Sequence, residues 1–328
     1  MFADRAIYGC VIVNTTKFTI EEVSMSEMRL CPICQTSDSN ASLFHKRNID
    51  HHRISGFSYA SRKVPEFMCH TLVRCGTCDI VYATDPPDQD ELAQAYHEAE
   101  YDSSDEAIDA AKAYMVALQP ILTQLPRSER VLEIGSGTGV LLDFLNLYGF
   151  KDLVGVEPSG SAIAAAPLRR QAWLREGIFD ERDFEPSSFD LICCFMTMEH
   201  VRDPLATANA AYRLLRPGGV FVTVTHDYCS FVNRLLGKRS PIIDIEHMQI
   251  FSNTSITALF QRCGFDAVMS RPFTNRYSLS YWMRLTPLPL PLKRLIQNGL
   301  VLTHLNTCKI GINVGNTLTA GVRPKTQT

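Results

Sequence analysis

Short apolar runs alternate with amphipathic segments through the second half of the chain. The runs that predict strands are Arg130–Ile134, Leu153–Glu157, Asp190–Phe195 and Val220–Thr225. Helical periodicity lies between and after them, at residues 138–148, 159–170, 203–215 and 253–263. Strands and helices that alternate in this way form a parallel sheet with right-handed crossovers and helices on both faces. The pattern therefore predicts an α/β fold whose ligands bind at the carboxyl ends of the strands.

The C-terminal part of the chain is less regular. Pro287, Pro289 and Pro291 exclude a helix through that point, because proline lacks the N–H that a helix interior needs. A helix is expected at Leu292–Thr303, and the alternation over Asn316–Val322 predicts a final edge strand.

The composition of the chain limits the classes of protein to which it can belong. The chain has 328 residues, 45% of them hydrophobic, and a net charge of −3, which argues against a strongly electrostatic nucleic-acid partner. No apolar stretch is long enough to span a membrane, and no secretion signal is recognisable, so a cytoplasmic protein is expected. Sequence does not indicate an oligomeric state.

Shifts in composition divide the chain into five regions. Residues 1–25 fit no pattern, and either a loose, disordered extension or an upstream start codon accounts for them. The remaining regions are a small cysteine-containing module at 26–85, an acidic helical connector or lid at 86–127, the α/β core at 128–275, and a C-terminal helical extension with a final strand at 276–328.

Four of the eleven cysteines form two C-x-x-C pairs, Cys31/Cys34 and Cys75/Cys78. Two such turns can direct four thiolates to one tetrahedral Zn²⁺, and a site filled by thiolates leaves no position for water. We therefore predict a structural zinc site, with an insertion folded out between the pairs. Cys69-His70 is a rival source of ligands, and unligated thiols and redox use are the alternatives.

A glycine turn, Gly135-Ser136-Gly137-Thr138-Gly139, follows the first strand and opens the next helix. Glycines let the backbone bend sharply and approach a ligand closely. A dinucleotide loop would need a glycine at position 140, which is Val140, and a P-loop would need Gly-Lys-Ser/Thr, which is absent. Neither phosphate-binding loop fits.

The pattern present is E-x-G-x-G-x-G, beginning at Glu133, with Glu157 ending the next strand. A carboxylate beside the turn suits an ammonium group, and a carboxylate at the tip of the next strand can accept both hydroxyls of a ribose. An ammonium and a ribose without a phosphate describe S-adenosylmethionine (SAM).

Residues 29–324 resemble a class I SAM-dependent methyltransferase of the subgroup that has an N-terminal zinc-ribbon-like segment. The matching motifs, in order, are the glycine loop, Ser188-Phe189-Asp190-Leu191-Ile192, Met198-Glu199-His200-Val201-Arg202-Asp203-Pro204, Leu214-Leu215-Arg216-Pro217-Gly218-Gly219-Val220, and Glu246-His247 with Phe251-Ser252 and Cys263-Gly264-Phe265. The resemblance implies a Rossmann-like sheet of seven strands, the last one antiparallel, with SAM as cofactor.

The resemblance also implies which residues contact SAM. The candidates are Glu133, Gly135, Ser136, Gly137, Gly139, Glu157, Pro158, Ile178, Phe179, Phe195 and Met196. An acidic residue is often found beside the adenine in this family, but its register within Gly177-Ile178-Phe179-Asp180 stays open.

Methyl transfer from a sulfonium mainly needs alignment and exclusion of water, although an acceptor atom can also require a base. His247 lies in a segment that faces the substrate by resemblance, and it is the preferred base. A structural role for His247 is the alternative. His226, directly after the strand Val220–Thr225, and Tyr101, in the lid region, are further active-site candidates. Glu199 and His200 are equally well explained as residues that cap the following helix or hold the loop.

The expected function is transfer of a methyl group to an O, N or C atom of a small molecule. Glycan or sugar units, quinone-like lipids and secondary metabolites are the candidate acceptors. An RNA-modifying enzyme that grips RNA with the zinc module is one alternative, opposed by the charge and by the acidic stretch. A non-enzymatic SAM-binding protein is the other.

Overall fold

The computed structural model describes residues 29–37, 40–59, 65–99 and 104–325. The predicted extension at 1–25 and the candidate Tyr101 lie outside the described residues. The strands are β1 (Ala41–His45), β2 (Leu72–Cys75), β3 (Val81–Ala83), β4 (Arg130–Ile134), β5 (Asp152–Glu157), β6 (Leu174–Glu176), β7 (Phe189–Phe195), β8 (Leu215–His226), β9 (Gln249–Ile250), β10 (Asp266–Pro272), β11 (Asn275–Ser278), β12 (Lys309–Ile312) and β13 (Asn316–Val322).

The helices are α1 (Gln89–His97), α2 (Ser104–Leu122), α3 (Val140–Tyr148), α4 (Gly160–Ala165), α5 (Leu168–Gln171), α6 (Pro204–Leu214), α7 (Phe231–Leu236), α8 (Asn253–Arg262), α9 (Leu279–Leu285) and α10 (Leu290–Leu302). Short 3-10 turns lie at His51–Arg53, Glu181–Asp183 and Gly237–Arg239.

A seven-stranded sheet of order β10-β13-β8-β7-β4-β5-β6 forms the centre of the molecule. Strands β6, β5, β4, β7 and β8 run parallel, and β13 is antiparallel to both of its neighbours. Every residue of β7 is buried, as expected for a strand covered on both faces. The predicted α/β class and the antiparallel last strand are confirmed.

The prediction that Asn316–Val322 is an edge strand is wrong. The strand lies between β8 and β10, with Asn316 opposite His226 and Thr319 opposite both Thr223 and Ser270. The sequence alternates apolar residues with threonines, which suggested one face in water. The threonines are buried instead, and the Thr319 hydroxyl pairs with that of Ser270 at 2.9 Å.

Local signals set the ends of most helices. Ser159, Asp203 and Ser252 are N-caps whose side chains accept backbone N–H groups of the first turn. The helix predicted at 159–170 is two short helices, because Pro167 interrupts the helical hydrogen bonds.

The C-terminal segment contains more structure than predicted. Helix α9, capped by Ser278, and the hairpin of β11 with β12 have no clear signal in the sequence. Helix α10 begins at Leu290 and includes Pro291, so the exclusion of a helix at that proline is wrong. A proline in the first turn costs nothing, because its missing N–H would have no helical partner there.

The cysteine-containing module shares a sheet with the rest of the chain. Strands β1, β2 and β3 form an antiparallel sheet with β9, and Val81 of β3 pairs with Ile250 of β9. Ile80 and Tyr82 belong to the same hydrophobic cluster as Leu132 of the central sheet. Within the described residues, no helix is both long enough and apolar enough to cross a bilayer.

Candidate active site

A cavity of about 1100 Å³ opens at the carboxyl ends of the parallel strands. The ends of β4, β5, β7 and β8 line one side of it, and residues of the C-terminal segment line the other. Binding cavities for one small ligand usually measure about 300–1,000 Å³, so this volume suffices for two ligands side by side.

The glycine turn forms part of the cavity wall, and each of its glycines has a positive φ. Gly135, Gly137 and Gly139 have φ of 75°, 53° and 67°, a region that other residues rarely adopt. A Cβ on Gly135 would lie 2.2 Å from Oγ1 of Thr197, whereas a Cβ on Gly137 would meet no atom within 4 Å. The backbone at Gly137 therefore faces open space that a ligand can occupy.

Glu157 holds the glycine turn in place. Its Oε2 accepts the N–H of Gly137 at 2.7 Å, and its Oε1 accepts the N–H of Ser159 at 2.9 Å. Burial raises the pKa of this carboxyl, and the two backbone donors oppose that rise. Each carboxylate oxygen keeps a second lone pair for a ligand.

Ten of the eleven residues expected to contact SAM line this cavity. They are Glu133, Gly135, Ser136, Gly137, Glu157, Pro158, Ile178, Phe179, Phe195 and Met196. Gly139 does not line it but is the N-cap of α3, close to the Leu174 side chain. Asp180 also lines the cavity, and hydrogen bonds from Arg182 lower its pKa to about 2.

Three histidines, His200, His226 and His247, lie close together in the lining of the cavity. The ring centroids of His200 and His247 are 4.8 Å apart, and those of His226 and His247 are 6.0 Å apart. The Tyr96 hydroxyl lies 2.9 Å from Nδ1 of His200, and Oε2 of Glu246 lies 3.7 Å from the same nitrogen. Nothing in the sequence pattern indicated that α1 supplies Tyr96 to this group.

The tautomer of His247 follows from its hydrogen bond. Its Nδ1 lies 2.8 Å from the carbonyl oxygen of Ile242, which can only accept, so Nδ1 carries the proton and Nε2 has the lone pair. Burial and the neighbouring His200 lower the pKa of His247, whereas Glu246 and Asp244 act to raise it. His247 is therefore neutral at pH 7.

His226 is a weak base. Burial, followed by the charges of His247 and His200, lowers its pKa to about 3. Its position is fixed by its backbone N–H, which donates to Oε1 of Glu199 at 2.7 Å.

Glu199 is a structural residue of the site. It is fully buried, burial raises its pKa to about 8, and its backbone carbonyl accepts the N–H of Met248 at 2.8 Å. It therefore ties the loop after β7 to the end of β8 and to the His247 segment. The cap of α6 is Asp203, so Glu199 holds the loop and does not cap the helix.

The other half of the cavity is apolar and comes mostly from the C-terminal segment. Its walls include Tyr277, Tyr281, Trp282, Ile296, Leu300 and Ile310. The indole N–H of Trp282 donates to the carbonyl of Ile310 at 3.0 Å, so this polar group is satisfied within the wall. A ligand in this half meets mainly aromatic and aliphatic surface.

Comparison with known protein families identifies the class of enzyme. A family model described as "Methyltransferase domain" matches residues 105–270, just over half of the chain. The chain belongs to this methyltransferase family. With the strand order and the glycine turn, this makes it a class I SAM-dependent methyltransferase, as the resemblance implied.

Curated relatives of the methyltransferase include ubiquinone biosynthesis O-methyltransferases. The one from Paracidovorax citrulli is 26% identical over 173 residues, which cover 47% of this chain and 72% of the relative. The one from Paraburkholderia phymatum is 32% identical over 120 residues, covering 33% of this chain and 50% of the relative.

Solved structures similar to the methyltransferase include a SAM-dependent methyltransferase from Archaeoglobus fulgidus. It has a TM-score of 0.45 and 13% identity, covering 72% of this chain and all of the other. A possible histamine N-methyltransferase from Thermotoga maritima has a TM-score of 0.44 and 21% identity, covering 66% of this chain and 91% of the other.

The methyltransferase carries a second cluster, made of Cys31, Cys34, Cys75 and Cys78, away from the cavity. Sγ of Cys31 lies 3.4 Å from Sγ of Cys78, Sγ of Cys34 lies 3.5 Å from Sγ of Cys75, and the four sulfurs lie within 4.8 Å of one another. Tetrahedral Zn–S bonds of about 2.3 Å would separate the sulfurs by about 3.8 Å, so the donor set fits zinc.

Within the cluster, the neighbouring cysteines favour the thiolate form of Cys31. A hydrogen bond from Cys78 lowers the pKa of Cys31 to about 7, and the same pairing raises the pKa of Cys78. The rival ligand Cys69 lies apart, with its Sγ 3.2 Å from Nδ1 of His45, and burial raises its pKa to about 12. Cys69 and His70 are not part of the cluster.

Proposed function

We propose that this methyltransferase transfers the methyl group of SAM to a hydroxyl of a small, largely apolar molecule of the phenol or quinol type. One observation carries the proposal: a single cavity is lined by the glycine turn, by a cluster of three histidines and by an apolar wall. The names of the curated relatives, O-methyltransferases of ubiquinone biosynthesis, support an oxygen acceptor on a quinone-like compound.

The polar half suits SAM. When bound, SAM supplies an electrophilic methyl group on a sulfonium, which is already a good leaving group. Glu133 and the glycine turn would hold its amino acid part, and Glu157 would accept its ribose hydroxyls through the lone pairs that Gly137 and Ser159 leave available. Ile178 and Phe179 would cover the adenine.

His247 acts as the base in this proposal. Its Nε2 takes the proton of the acceptor hydroxyl while the acceptor oxygen forms its bond to the methyl carbon and the carbon–sulfur bond breaks. The hydrogen bond from Nδ1 to the Ile242 carbonyl keeps the ring oriented. The carboxyl groups of Glu246 and Asp244 stabilise the imidazolium that results. His226 is too weak a base for this role.

The four-cysteine cluster is proposed to hold a structural Zn²⁺. Its four thiolates would complete the coordination, so the ion would take no part in the reaction. Asp79 follows the second C-x-x-C pair and accepts hydrogen bonds from Ser252, at the start of α8, and Tyr228, after β8. Loss of the ion would therefore loosen loops next to the cavity.

Zinc should be found at one ion per chain by plasma mass spectrometry after purification without chelator.

The experiment that tests the acceptor uses catechols with 4-alkyl chains of one, four and eight carbons, with SAM consumption and product mass followed together. We expect a mono-O-methyl product and a kcat/KM that rises with chain length, because the longer chains bury more apolar surface in the cavity. Tight SAM binding without methylation of any catechol, or methylation of RNA instead, would contradict the proposal.

A further inference from the structure

We propose that His226 and Asn316 form a recognition site, here called the polar subsite, that binds a second hydroxyl group of the acceptor molecule. The first hydroxyl is the one that is methylated in the proposed function, on which this role of the polar subsite rests.

The central sheet places the two residues of the polar subsite beside each other. His226 is the last residue of β8, and Asn316, the first residue of β13, lies directly opposite it in the antiparallel pair. Side chains that are directly opposite lie on the same face of a sheet, with their Cβ atoms about 4.5–5.5 Å apart. Burial lowers the pKa of His226, whereas the nearby Asn316 side chain acts to raise it. Both residues line the cavity, so the polar subsite is one patch of its wall.

The polar subsite contains buried polar atoms that no described protein group satisfies. Nδ1 of His226 and Oδ1 of Asn316 are buried, and neither atom has a hydrogen-bond partner within the described residues. Asn316 as a whole is only 2% exposed. Buried polar atoms in folded proteins are nearly always paired. Two unpaired atoms on neighbouring side chains in the wall of a cavity therefore indicate a ligand group that pairs with them.

The chemistry of the polar subsite favours a neutral hydroxyl. His226 is uncharged at pH 7, because burial and then the charges of His247 and His200 lower its pKa to about 3. An ionised carboxylate or phosphate would therefore meet no positive charge on either residue of the subsite. A hydroxyl can donate to Oδ1 of Asn316 and accept from Nδ1 of His226 when that nitrogen carries the proton. A carbonyl can only accept, so it would leave Oδ1 unpaired, and an apolar group would leave both atoms unpaired.

The polar subsite lies next to the proposed base. The ring centroids of His226 and His247 are 6.0 Å apart, so one small ring can reach both histidines. One hydroxyl of that ring would give its proton to Nε2 of His247, and the other would pair with His226 and Asn316. Binding of the second hydroxyl would thus fix which oxygen faces the methyl group of SAM. His226 would then select and orient the acceptor without taking a proton from it.

The test compares kcat/KM for 4-octylcatechol with kcat/KM for 3-octylphenol and 4-octylphenol, each of which lacks one of the two hydroxyls. Only productive orientations contribute to kcat/KM, and in these the single hydroxyl of a phenol lies at His247 and leaves the polar subsite empty. For the wild type we therefore expect a preference of about 10- to 100-fold for the catechol over both phenols, because a productively bound phenol leaves buried polar atoms unpaired.

Matched variants assign the preference to the polar subsite. Asn316→Leu keeps the approximate volume of the side chain but removes its polar atoms, and it should reduce the preference to about threefold or less. His226→Phe removes the ring nitrogens and should act in the same direction. Asn146→Leu, at a half-buried asparagine of α3 that does not line the cavity, should leave the preference unchanged. SAM affinity, measured by calorimetry on the same preparations, reports folding.

Binding of 4-octylcatechol is measured separately by calorimetry in the presence of S-adenosylhomocysteine, so that it does not depend on turnover. Asn316→Leu should weaken this binding about tenfold. Catechol that binds in this Asn316-dependent way but is never methylated would support the polar subsite and contradict the proposed function.

Methylation of the catechol and of both phenols with equal kcat/KM would overturn the polar subsite and leave the proposed function intact. An equal loss of preference in Asn146→Leu would also overturn the polar subsite, and so would a preference that Asn316→Leu and His226→Phe both leave unchanged.

Discussion

The two halves of the cavity are built in different ways. The polar half comes from strand ends and the turns that follow them, and its lining includes the positive-φ glycines Gly135 and Gly137. The apolar half comes from side chains of α7 and of the consecutive C-terminal elements α9, α10 and β12. A turn with positive φ angles needs glycines at fixed positions in the sequence. An apolar wall needs only apolar side chains of suitable volume and shape.

The largest effect is expected for Gly137→Arg in the polar half. Gly137 has a φ of 53° and faces open space, so an Arg there would be strained and would fill the volume proposed for SAM. SAM affinity, measured by calorimetry, should fall by more than about 100-fold. Gly237→Arg is the matched control, because Gly237 has a φ of 52° and open space but lies after α7. Equal loss of affinity in the control would mean that strain alone is responsible.

Glu199 joins the loop after β7 to the end of β8, and its protonation should affect stability. Its folded pKa of about 8 exceeds the usual 4.5, so the folded state binds the proton more tightly than the unfolded state does. Stability should therefore fall as the pH rises from about 4.5 to 8, by an amount on the order of 4 kcal/mol. Glu199→Gln keeps a neutral acceptor for the His226 N–H and should remove this part of the pH dependence of stability.

Urea unfolding at pH 5 and pH 8.5 measures the difference. Glu185→Gln, a change at an exposed carboxyl, is the control and should retain the full pH dependence. A pH dependence that is the same in Glu199→Gln and in the wild type would show that Glu199 is ionised in the folded protein.

His247→Gln tests the chemistry of the histidine cluster in the cavity that the two halves share. We expect kcat to fall about 100-fold with SAM affinity unchanged, because only the base is removed. In the wild type the rate should drop as the pH falls through the pKa of His247, which lies below 6.5, and this acidic limb should vanish in the variant. If kcat falls further in His226→Gln than in His247→Gln, His226 is the base instead.

The smallest effect is expected in the apolar wall. Leu300→Ala should raise the KM for 4-octylcatechol about tenfold without changing SAM affinity, because apolar contact with the chain is lost. Leu295→Ala, on the same helix but facing water, should leave KM unchanged. A loss of SAM affinity in Leu300→Ala would mean that the two halves are not independent.

The same contrast explains which predictions from sequence succeeded. The strands at Arg130–Ile134 and Leu153–Glu157 were predicted within one residue, since each is a short apolar run with a glycine or acidic end. The edge position of β13 was predicted wrongly, because buried threonines, one of which pairs with Ser270, look like a solvated face.

Sequence by itself determined the parts of this protein that depend on local backbone geometry. The E-x-G-x-G-x-G turn, the caps of α4, α6 and α8, and the two C-x-x-C turns need specific residues close together in the chain. Only the tertiary structure decided the rest. It joined Tyr96, His200 and His247 across 151 positions of sequence, and it placed β13 inside the sheet. Contacts between distant residues depend on how the elements pack, and no local pattern records that packing.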